Sequence, residues 1–507
     1  MWELWDNPRA ATGPQESVFF TQRDTDMTAN LTRRRFLKGL GAGAAALAAG
    51  RLAGAPAAKN RKPNVVIIFT DDQGTLDANC YGSKDLYTPT MDALAATGVR
   101  FTQAYSHTVC CPARAMLMNG RQPQRSNVNH WTQGDAHAKG GRNMFLDEVT
   151  IAEMLKRTGY RTGLFGKWHL GADLAHGPLE QGFDEFFGHR GGFIDNYNHH
   201  FLHGMGFHDL YENKTEVFRK GRYFPDMTTA GAVRFVQANK ARPFFLYLAF
   251  NIPHYPEQPD RKFDKRYEAL PMPRRSYARM ISTVDDRMGM VVKTLEDLGL
   301  RDNTIIIFQS DNGASTETSH IRFDNHKSGL PKGHNYGANG GGGNMGKWRG
   351  AKGSFFEGGI RVPAIISFPR KLPKGVVRDQ AVTAMDWFPT ILDLCGITRP
   401  MHPLDGHSLL EVIASPDAAS PYKVMHWAWG DRWLVRQGDW KLIGRGRARP
   451  GKKPRAQLFN LTRDTPERQD LARKHPEIVE RLYTLHENWV REMEADVKAR
   501  VAKGTAK

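Results

Sequence analysis

The chain has 507 residues, 40% of them hydrophobic and 10% aromatic, with four cysteines and a formal charge of +18. It is long enough for two domains, or one large domain with an appendage, and its composition is that of a globular protein. Four cysteines are too few for a disulfide scaffold. Residues 1–58 hold seven Lys/Arg and five Asp/Glu, so the rest of the chain keeps a surplus of +16. That surplus fits a polyanionic partner (nucleic acid, an anionic membrane or a sulfated polymer) or a solvated basic surface. The basic residues are scattered and no DNA- or RNA-binding motif is present, which argues against nucleic acid.

Residues 1–58 read as a targeting segment, not as part of the fold. Thr32-Arg33-Arg34-Arg35-Phe36-Leu37-Lys38 resembles a twin-arginine export signal. A weakly apolar run occupies 39–50, and Ala55-Pro56-Ala57 offers a small-residue cleavage site. The run is too short and too rich in Ala and Gly to span a membrane, and no other stretch approaches a span. Met27 lies shortly before the arginines and is the expected start, with residues 1–26 an over-long beginning. The expectation is a protein exported to the periplasm or beyond by the twin-arginine machinery, which moves proteins already folded.

From residue 59 strands and helices alternate. Residues 64–69 form a nearly continuous apolar run, the pattern of a strand buried on both faces. Similar runs occupy 162–165, 243–250, 304–308 and 363–368, with helical patterns at 90–97, 150–158, 230–239 and 275–298 between them. This predicts an α/β domain with a large, mainly parallel sheet flanked by helices over 59–420. After residue 420 the character changes. Residues 433–436, 440–443 and 457–460 read as short strands and 475–500 as an amphipathic helix. They predict a smaller C-terminal subdomain, 421–507, of antiparallel sheet plus helix with a basic tail. Residues 337–346 are nearly all Gly and Asn and form no predicted element.

Sites in open parallel sheets lie outside the carboxyl ends of strands. Here the first strand ends in Asp71-Asp72, and the second runs into Lys167-Trp168-His169. The third leads to His254, and the fourth ends in Asp311-Asn312-Gly313. Lys352 and Arg361 lie just before the fifth. Singly, each has a bland reading as a cap, a turn or a structural histidine; together they are hard to explain by capping. Asp71, Asp72, Asp311 and Asn312 supply hard oxygen donors suited to Ca²⁺ or Mg²⁺. Arg114, Lys167 and Lys352 can hold oxygens of a tetrahedral anion. His169 and His254 can move protons near neutral pH. Cys110-Cys111-Pro112-Ala113-Arg114 puts a cysteine just before an expected helix start, where anions are favoured. Alone, that pentapeptide also fits a pair of buried cysteines at a helix start. The assembled set suits an anionic ester: sulfate, phosphate or phosphonate.

These segments resemble the formylglycine-dependent sulfatases, the arylsulfatase-like type I family of the alkaline phosphatase superfamily, over residues 62–472. Cys110, Pro112, Arg114 and Gly120 match its signature, and Gly166-Lys167-Trp168-His169-Leu170-Gly171 its active-site lysine and histidine. Residues 64–72, Thr88-Pro89-Thr90-Met91-Asp92 with Gly98-Val99-Arg100-Phe101, Pro253-His254 and Ser310-Asp311-Asn312-Gly313 match further family segments. So do Lys352-Gly353, Glu357-Gly358-Gly359-Ile360-Arg361-Val362-Pro363, Leu458-Phe459-Asn460-Leu461 and Asp464-Thr465-Pro466-Glu467. Three positions depart: Ala113 replaces the common Ser, Asn119 the usual Thr or Ser, and Asn251 a frequent His. Cys111 makes the cysteine a doublet, within which the spacing to Pro112 and Arg114 selects Cys110.

The resemblance implies a sulfuric ester hydrolase of alkaline phosphatase-like fold. Cys110 is then converted to formylglycine by a maturation enzyme, and its hydrate attacks sulfur. Asp71, Asp72, Asp311 and Asn312, with residue 110, are implied to hold Ca²⁺. His254, with Lys352, is implied to protonate the departing alcohol, and His169 to take the proton whose loss expels sulfate. An exported basic sulfatase suggests sulfated carbohydrate as substrate, an algal galactan or fucan or an animal glycosaminoglycan, with exo or endo action open. Residues 189–208 and 329–348, the latter with Lys332, His334 and Lys347, read as loops around the pocket or as ordinary surface. A phosphonate monoester or phosphodiester hydrolase of the same superfamily is the alternative. A non-catalytic polyanion-binding protein is remote, since every catalytic position that can be aligned is occupied.

Overall fold

The structure is a computed structural model that describes residues 61–132, 143–337, 341–446 and 455–502. The twin-arginine segment, its cleavage site, Met27 and the end of the basic tail lie outside these residues. Residues Lys62–Lys507 form one compact unit. In chain order its elements are β1 (Asn64–Asp71), α1 (Pro89–Ala96), β2 (Val99–Phe101), β3 (Ala104–Tyr105), α2 (Cys110–Asn119), α3 (Ile151–Arg157), β4 (Arg161–Lys167) and β5 (Glu185–His189). Next come β6 (His200–Phe201), β7 (Phe207–His208), β8 (Tyr211–Glu212), β9 (Thr215–Glu216), α4 (Phe224–Ala238), β10 (Phe244–Pro253), α5 (Arg274–Asp297) and β11 (Thr304–Ser310). After these lie α6 (Glu357–Ile360), β12 (Ala364–Ser367), β13 (Val376–Arg378), β14 (Val382–Thr383), α7 (Trp387–Cys395) and α8 (Leu410–Ala414). The chain closes with β15 (Met425–Trp429), β16 (Arg432–Gln437), β17 (Trp440–Arg445), β18 (Arg455–Asn460) and α9 (Pro476–Ala502).

Among the described residues ten strands form the main sheet, in the order β13-β2-β12-β11-β1-β10-β4-β5-β8-β9. β11, β1, β10, β4 and β5 run parallel to one another. The apolar runs have a direct cause. Val65, Ile67 and Phe69 of β1 enter one core with Leu117, Leu155 and Trp387. Val66 and Ile68 enter another, on the opposite face, with Phe235, Met280, Val284 and Met288 of α4 and α5. Phe245 and Tyr247, against Phe244 and Leu246, divide in the same way. Helices cover both faces, so every position of β1 is buried.

Two differences from the sequence reading bear on the site. The fifth expected strand, β12, is antiparallel to β11, with Ala364 paired to Gln309. Its beginning therefore lies at the sheet edge where the parallel strands end, and this is why Lys352 and Arg361 precede their strand. The helix expected to start just after Cys110 begins at Cys110 itself, with Val109 as its extended N-cap.

Among the described residues the C-terminal sheet has four antiparallel strands, β15-β16-β17-β18, one more than expected. One face packs Trp433, Val435, Leu442 and Leu458 against Ile478 and Leu482 of α9. The other packs Trp427 and Leu434 against Tyr105, Phe355 and Ile360 of the main body. Among the described residues no helix is long and apolar enough to cross a membrane.

Candidate active site

The strand ends and the first turn of α2 bring five segments together. Asp71 ends β1, and Asp72 comes next in the left-handed region, φ 66°. Lys167 ends β4, and His169 is also left-handed at φ 57°. Such backbone is uncommon for residues with a Cβ and is held only where the surroundings dictate it. Gly166, at φ 121°, has no room for a side chain: a Cβ there would lie 1.9 Å from the Ala249 carbonyl oxygen.

Asp71 is the hub. Lys167 Nζ lies 2.5 Å from its Oδ2, and Arg114 Nη2 sits 3.6 Å from the same oxygen and 3.1 Å from Asp311 Oδ2. Arg114 also donates to the Lys167 carbonyl at 3.1 Å and to the Tyr247 hydroxyl at 3.5 Å. Arg114, Lys167, Asp71 and Asp311 are all fully buried. Burial opposes ionisation of Asp71, but Lys167, His254, Arg114 and Lys352 outweigh it and hold its carboxyl well below the usual range. Burial and then the Asp71 charge push Asp311 up.

On the other side, Asp72 Oδ2 receives Lys352 Nζ at 2.9 Å and faces His254 Nε2 at 3.7 Å. His254 Nδ1 sits 2.7 Å from the Tyr255 carbonyl oxygen, so it carries the proton and leaves Nε2 turned to Asp72. Burial, then Lys352, lowers the pKa of His254; burial, then Lys167, puts His169 well below its usual value. Neither ring nitrogen of His169 has a hydrogen-bond partner among the described residues.

The donor set fits a hard cation. Asn312 Nδ2 donates to Asp72 Oδ1 at 2.7 Å and to the Gly313 carbonyl at 2.9 Å, which turns Oδ1 away. That Oδ1 and Asp71 Oδ1 are buried with no hydrogen-bond partner among the described residues. Ligand atoms of Asp71, Cys110 and Asp311 lie within 4.8 Å of one another, as do those of Asp71, Asp72 and His254. Oxygens dominate these groups, the chemistry of Ca²⁺ or Mg²⁺ rather than zinc.

The two cysteines part company. Cys110 Sγ joins the carboxylates, whereas Cys111 packs in the main core with Ala115 and Leu117, its Sγ 3.4 Å from the His130 carbonyl oxygen. Burial pushes the Cys110 thiol up to about 11.

The sequence reading missed Glu317, whose Oε2 lies 3.0 Å from Lys352 Nζ. Burial opposes its ionisation, but Lys352 and then His254 hold it down at about 2. It also missed Tyr247, which reads as one more apolar strand residue, and Tyr277, whose hydroxyl donates to the Asp72 carbonyl at 2.9 Å. No local pattern marks Glu317, because its role comes only from the return of Lys352. Of the two loops expected around the pocket, residues 189–208 bring Phe193 to 5.3 Å from the His254 ring. The second brings Tyr336 onto Phe193 at 6.1 Å, while its Lys332 is exposed and paired with Asp324. Arg361 turns from the site to Glu357, and the Thr102 carbonyl accepts from its Nε at 2.8 Å.

The Sulfatase family model matches residues 63–397. Mouse arylsulfatase J is 30% identical over 481 residues, covering 83% of this chain and 74% of that one. Human arylsulfatase A is 33% identical over 370 residues, 69% of this chain and 67% of its own. Among solved structures, Ps i-CgsB in complex with k-i-k-neocarrahexaose superposes with a TM-score of 0.72 at 29% identity, over 85% of this chain and 93% of that one. With the fold, the strand-end carboxylates and these matches in agreement, the chain belongs to the type I sulfatases of the alkaline phosphatase superfamily and is a sulfate ester hydrolase.

Proposed function

We propose that this sulfatase acts on sulfated carbohydrate with residue 110, matured from Cys110 to formylglycine, as its nucleophile and Ca²⁺ as its metal. The observation that carries the reading is the convergence of Cys110 Sγ with the Asp71 and Asp311 carboxylates. A thiol with its pKa pushed up to about 11 stays protonated at neutral pH, so the unconverted cysteine is a poor nucleophile there. The aldehyde supplies, as its hydrate, one hydroxyl to attack sulfur and a second whose deprotonation releases sulfate, an exit that serine lacks.

Asp71, Asp72, Asp311 and Asn312, with residue 110, would hold Ca²⁺, which supplies charge to polarise a sulfate oxygen. Arg114 and Lys167 keep Asp71 and Asp311 in position, and together with Lys352 they draw an anionic ester inward. His254 and Lys352 share the Asp72 side, where the departing alcohol receives its proton. His169, beyond Lys167, takes the proton from residue 110 in the release step.

The k-i-k-neocarrahexaose in complex with one structural neighbour supports a carbohydrate substrate, and the basic surplus of this chain suits a sulfated one. Export through the twin-arginine route belongs to the same reading. Nitrophenyl sulfate, phosphate and phosphonate esters test the chemistry: the sulfate ester should give the highest kcat/KM, and a higher value on either phosphorus ester would overturn it. Sulfate release from carrageenan, fucan and glycosaminoglycan oligosaccharides then tests the substrate class.

A further inference from the structure

A second charged cluster lies outside the site and joins the C-terminal sheet to it. Lys441, on β17, is 1% exposed, with Nζ 2.9 Å from Glu357 Oε1 and 2.8 Å from Glu467 Oε1. Glu467 is fully buried, adopts a left-handed backbone at φ 54°, and accepts the Glu357 backbone N–H on Oε2 at 2.6 Å. The other carboxylate oxygen of Glu357 accepts from the Tyr105 hydroxyl at 2.7 Å and pairs with Arg361 Nη1 at 3.3 Å. Arg436 Nη1, from β16, donates to that same hydroxyl at 2.6 Å.

Glu357 is the first residue of α6, and this short turn touches three catalytic segments. The Gly359 carbonyl accepts from Gly313 N at 3.0 Å, directly after Asn312. A Cβ on Gly313 would lie 1.8 Å from the Gly358 carbonyl oxygen, so the two segments meet backbone to backbone. Gly358 N donates to the Arg349 carbonyl at 2.7 Å, three residues before Lys352. The Ile360 carbonyl accepts from Ser106 N at 2.9 Å, four residues before Cys110. The C-terminal sheet adds two direct bonds: Trp427 Nε1 to the Ser106 carbonyl at 2.8 Å and Arg432 Nη1 to the Gly353 carbonyl at 2.6 Å.

Burying a lysine between two carboxylates brings little net stability, because desolvation offsets the attraction. What such a cluster supplies is fixed geometry, since each partner has one place to go. Here Glu467 holds the Glu357 backbone N–H and Lys441 its carboxylate, so the α6 turn is tied at its first residue, and at an active site small shifts are costly.

We infer that Lys441 and Glu467 are positioning residues for the active site, acting through Glu357 on the turn that sets Asn312 and Lys352. The inference rests on the proposed function, in which those two residues serve the reaction. The test uses the full chain, matured at residue 110, with variants Lys441→Met, Lys441→Arg and Tyr105→Phe. Circular dichroism establishes the folded fraction, nitrophenyl sulfate gives kcat and KM, and calorimetric titration with Ca²⁺ alone gives the metal affinity. Lys441→Met should lower the kcat of folded protein by roughly 10- to 100-fold, with KM within about threefold and Ca²⁺ affinity down about tenfold. Lys441→Arg, which keeps the charge between the carboxylates, should recover a large part of both.

A folded Lys441→Met protein with kcat within about twofold of the parent overturns the inference, whatever its melting temperature. If that variant does not fold, Tyr105→Phe decides. It removes one hydroxyl, leaves the ion pairs, and should lower kcat by about three- to tenfold; an unchanged kcat overturns the inference. Should the parent hydrolyse no sulfate ester, the proposed function fails, and the ratio of Ca²⁺ affinities still decides this inference.

Discussion

Cys110 and Cys111 are neighbours in the chain with opposite surroundings: one sulfur lies among the carboxylates of Asp71 and Asp311, the other in the apolar core beside the His130 carbonyl. The doublet that is ambiguous as a string is therefore divided by the first turn of α2, which directs successive side chains about a quarter-turn apart.

Mass spectrometry of the peptide holding both residues, from protein produced with the maturation enzyme, should show a loss of about 18 Da at residue 110 and none at 111, unlike thiol oxidation, which adds mass. Cys110→Ala should bind substrate without turnover. Cys111→Ala should keep kcat and lose about 1–2 kcal/mol of stability for a vacated core position. Conversion only at residue 111 would falsify the assignment of the nucleophile.

Chelation should abolish turnover, and Ca²⁺ should restore it. A ligand that binds only the folded state stabilises by about 2.7 kcal/mol at 100 times its Kd, so added Ca²⁺ should also raise the melting temperature of the parent protein. Asn312→Leu, which removes one of the two unpartnered buried oxygens, should weaken that rise. A melting temperature indifferent to Ca²⁺ in the parent would count against a metal at these carboxylates.

Arg114 is fully buried and shared by Asp71 and Asp311, so its removal leaves two carboxylates facing one another without the cation that bridges them. Arg114→Ala should cost about 3–5 kcal/mol, the usual result of breaking a buried pair from one side. Arg114→Lys should recover stability in part and activity less, since an ammonium cannot reproduce the fork that reaches Asp311, the Lys167 carbonyl and Tyr247 together. Urea denaturation alongside kcat separates the two effects.

Asp285, on α5, caps a different helix. Its carboxylate accepts from Thr90 N at 2.9 Å and Met91 N at 2.8 Å, at the start of α1. Burial raises its pKa to about 7 despite those two bonds. A folded carboxyl that keeps a proton the unfolded chain releases loses stability as pH rises. Between about pH 4 and pH 7, the parent should therefore lose stability relative to Asp285→Asn. Asp285→Ala should be destabilised by about 1–3 kcal/mol with kcat unchanged. Denaturation midpoints across that pH range check both; parallel curves for the parent and Asp285→Asn would refute the shift.

The central sheet was legible because its strands are buried on both faces, and continuous apolar runs at 64–69, 243–250 and 304–308 have few other readings. The ionisable residues at their ends were legible for the same reason: once the parallel strands are placed, their carboxyl ends share one edge of the sheet. β2, β13 and the short edge strands were not, because three or two residues carry no period. β15 was missed because only Met425 and Trp427 of its five residues are buried, too short a pattern to read as an alternation. Glu317, Tyr277 and Lys441 could not be read from local pattern at all. Each acquires its role from a partner between 35 and 205 positions away in the chain, which only the folded structure brings near.

The reversed direction of β12 has one more consequence. The chain leaves the sheet at Ser310 and returns at Pro363, and Ser310 N donates to the Pro363 carbonyl at 3.4 Å. The excursion between them, which carries Asn312, Glu317, Tyr336 and Lys352, is thus an appendix closed at its root. Closing a longer loop across a fixed gap adds only about 0.6 kcal/mol for each doubling of length. A change of length between Ser319 and Tyr336 should therefore leave the strands on either side in register. On the carbohydrate reading proposed above, that stretch is where a different sugar preference would be grafted onto this sheet.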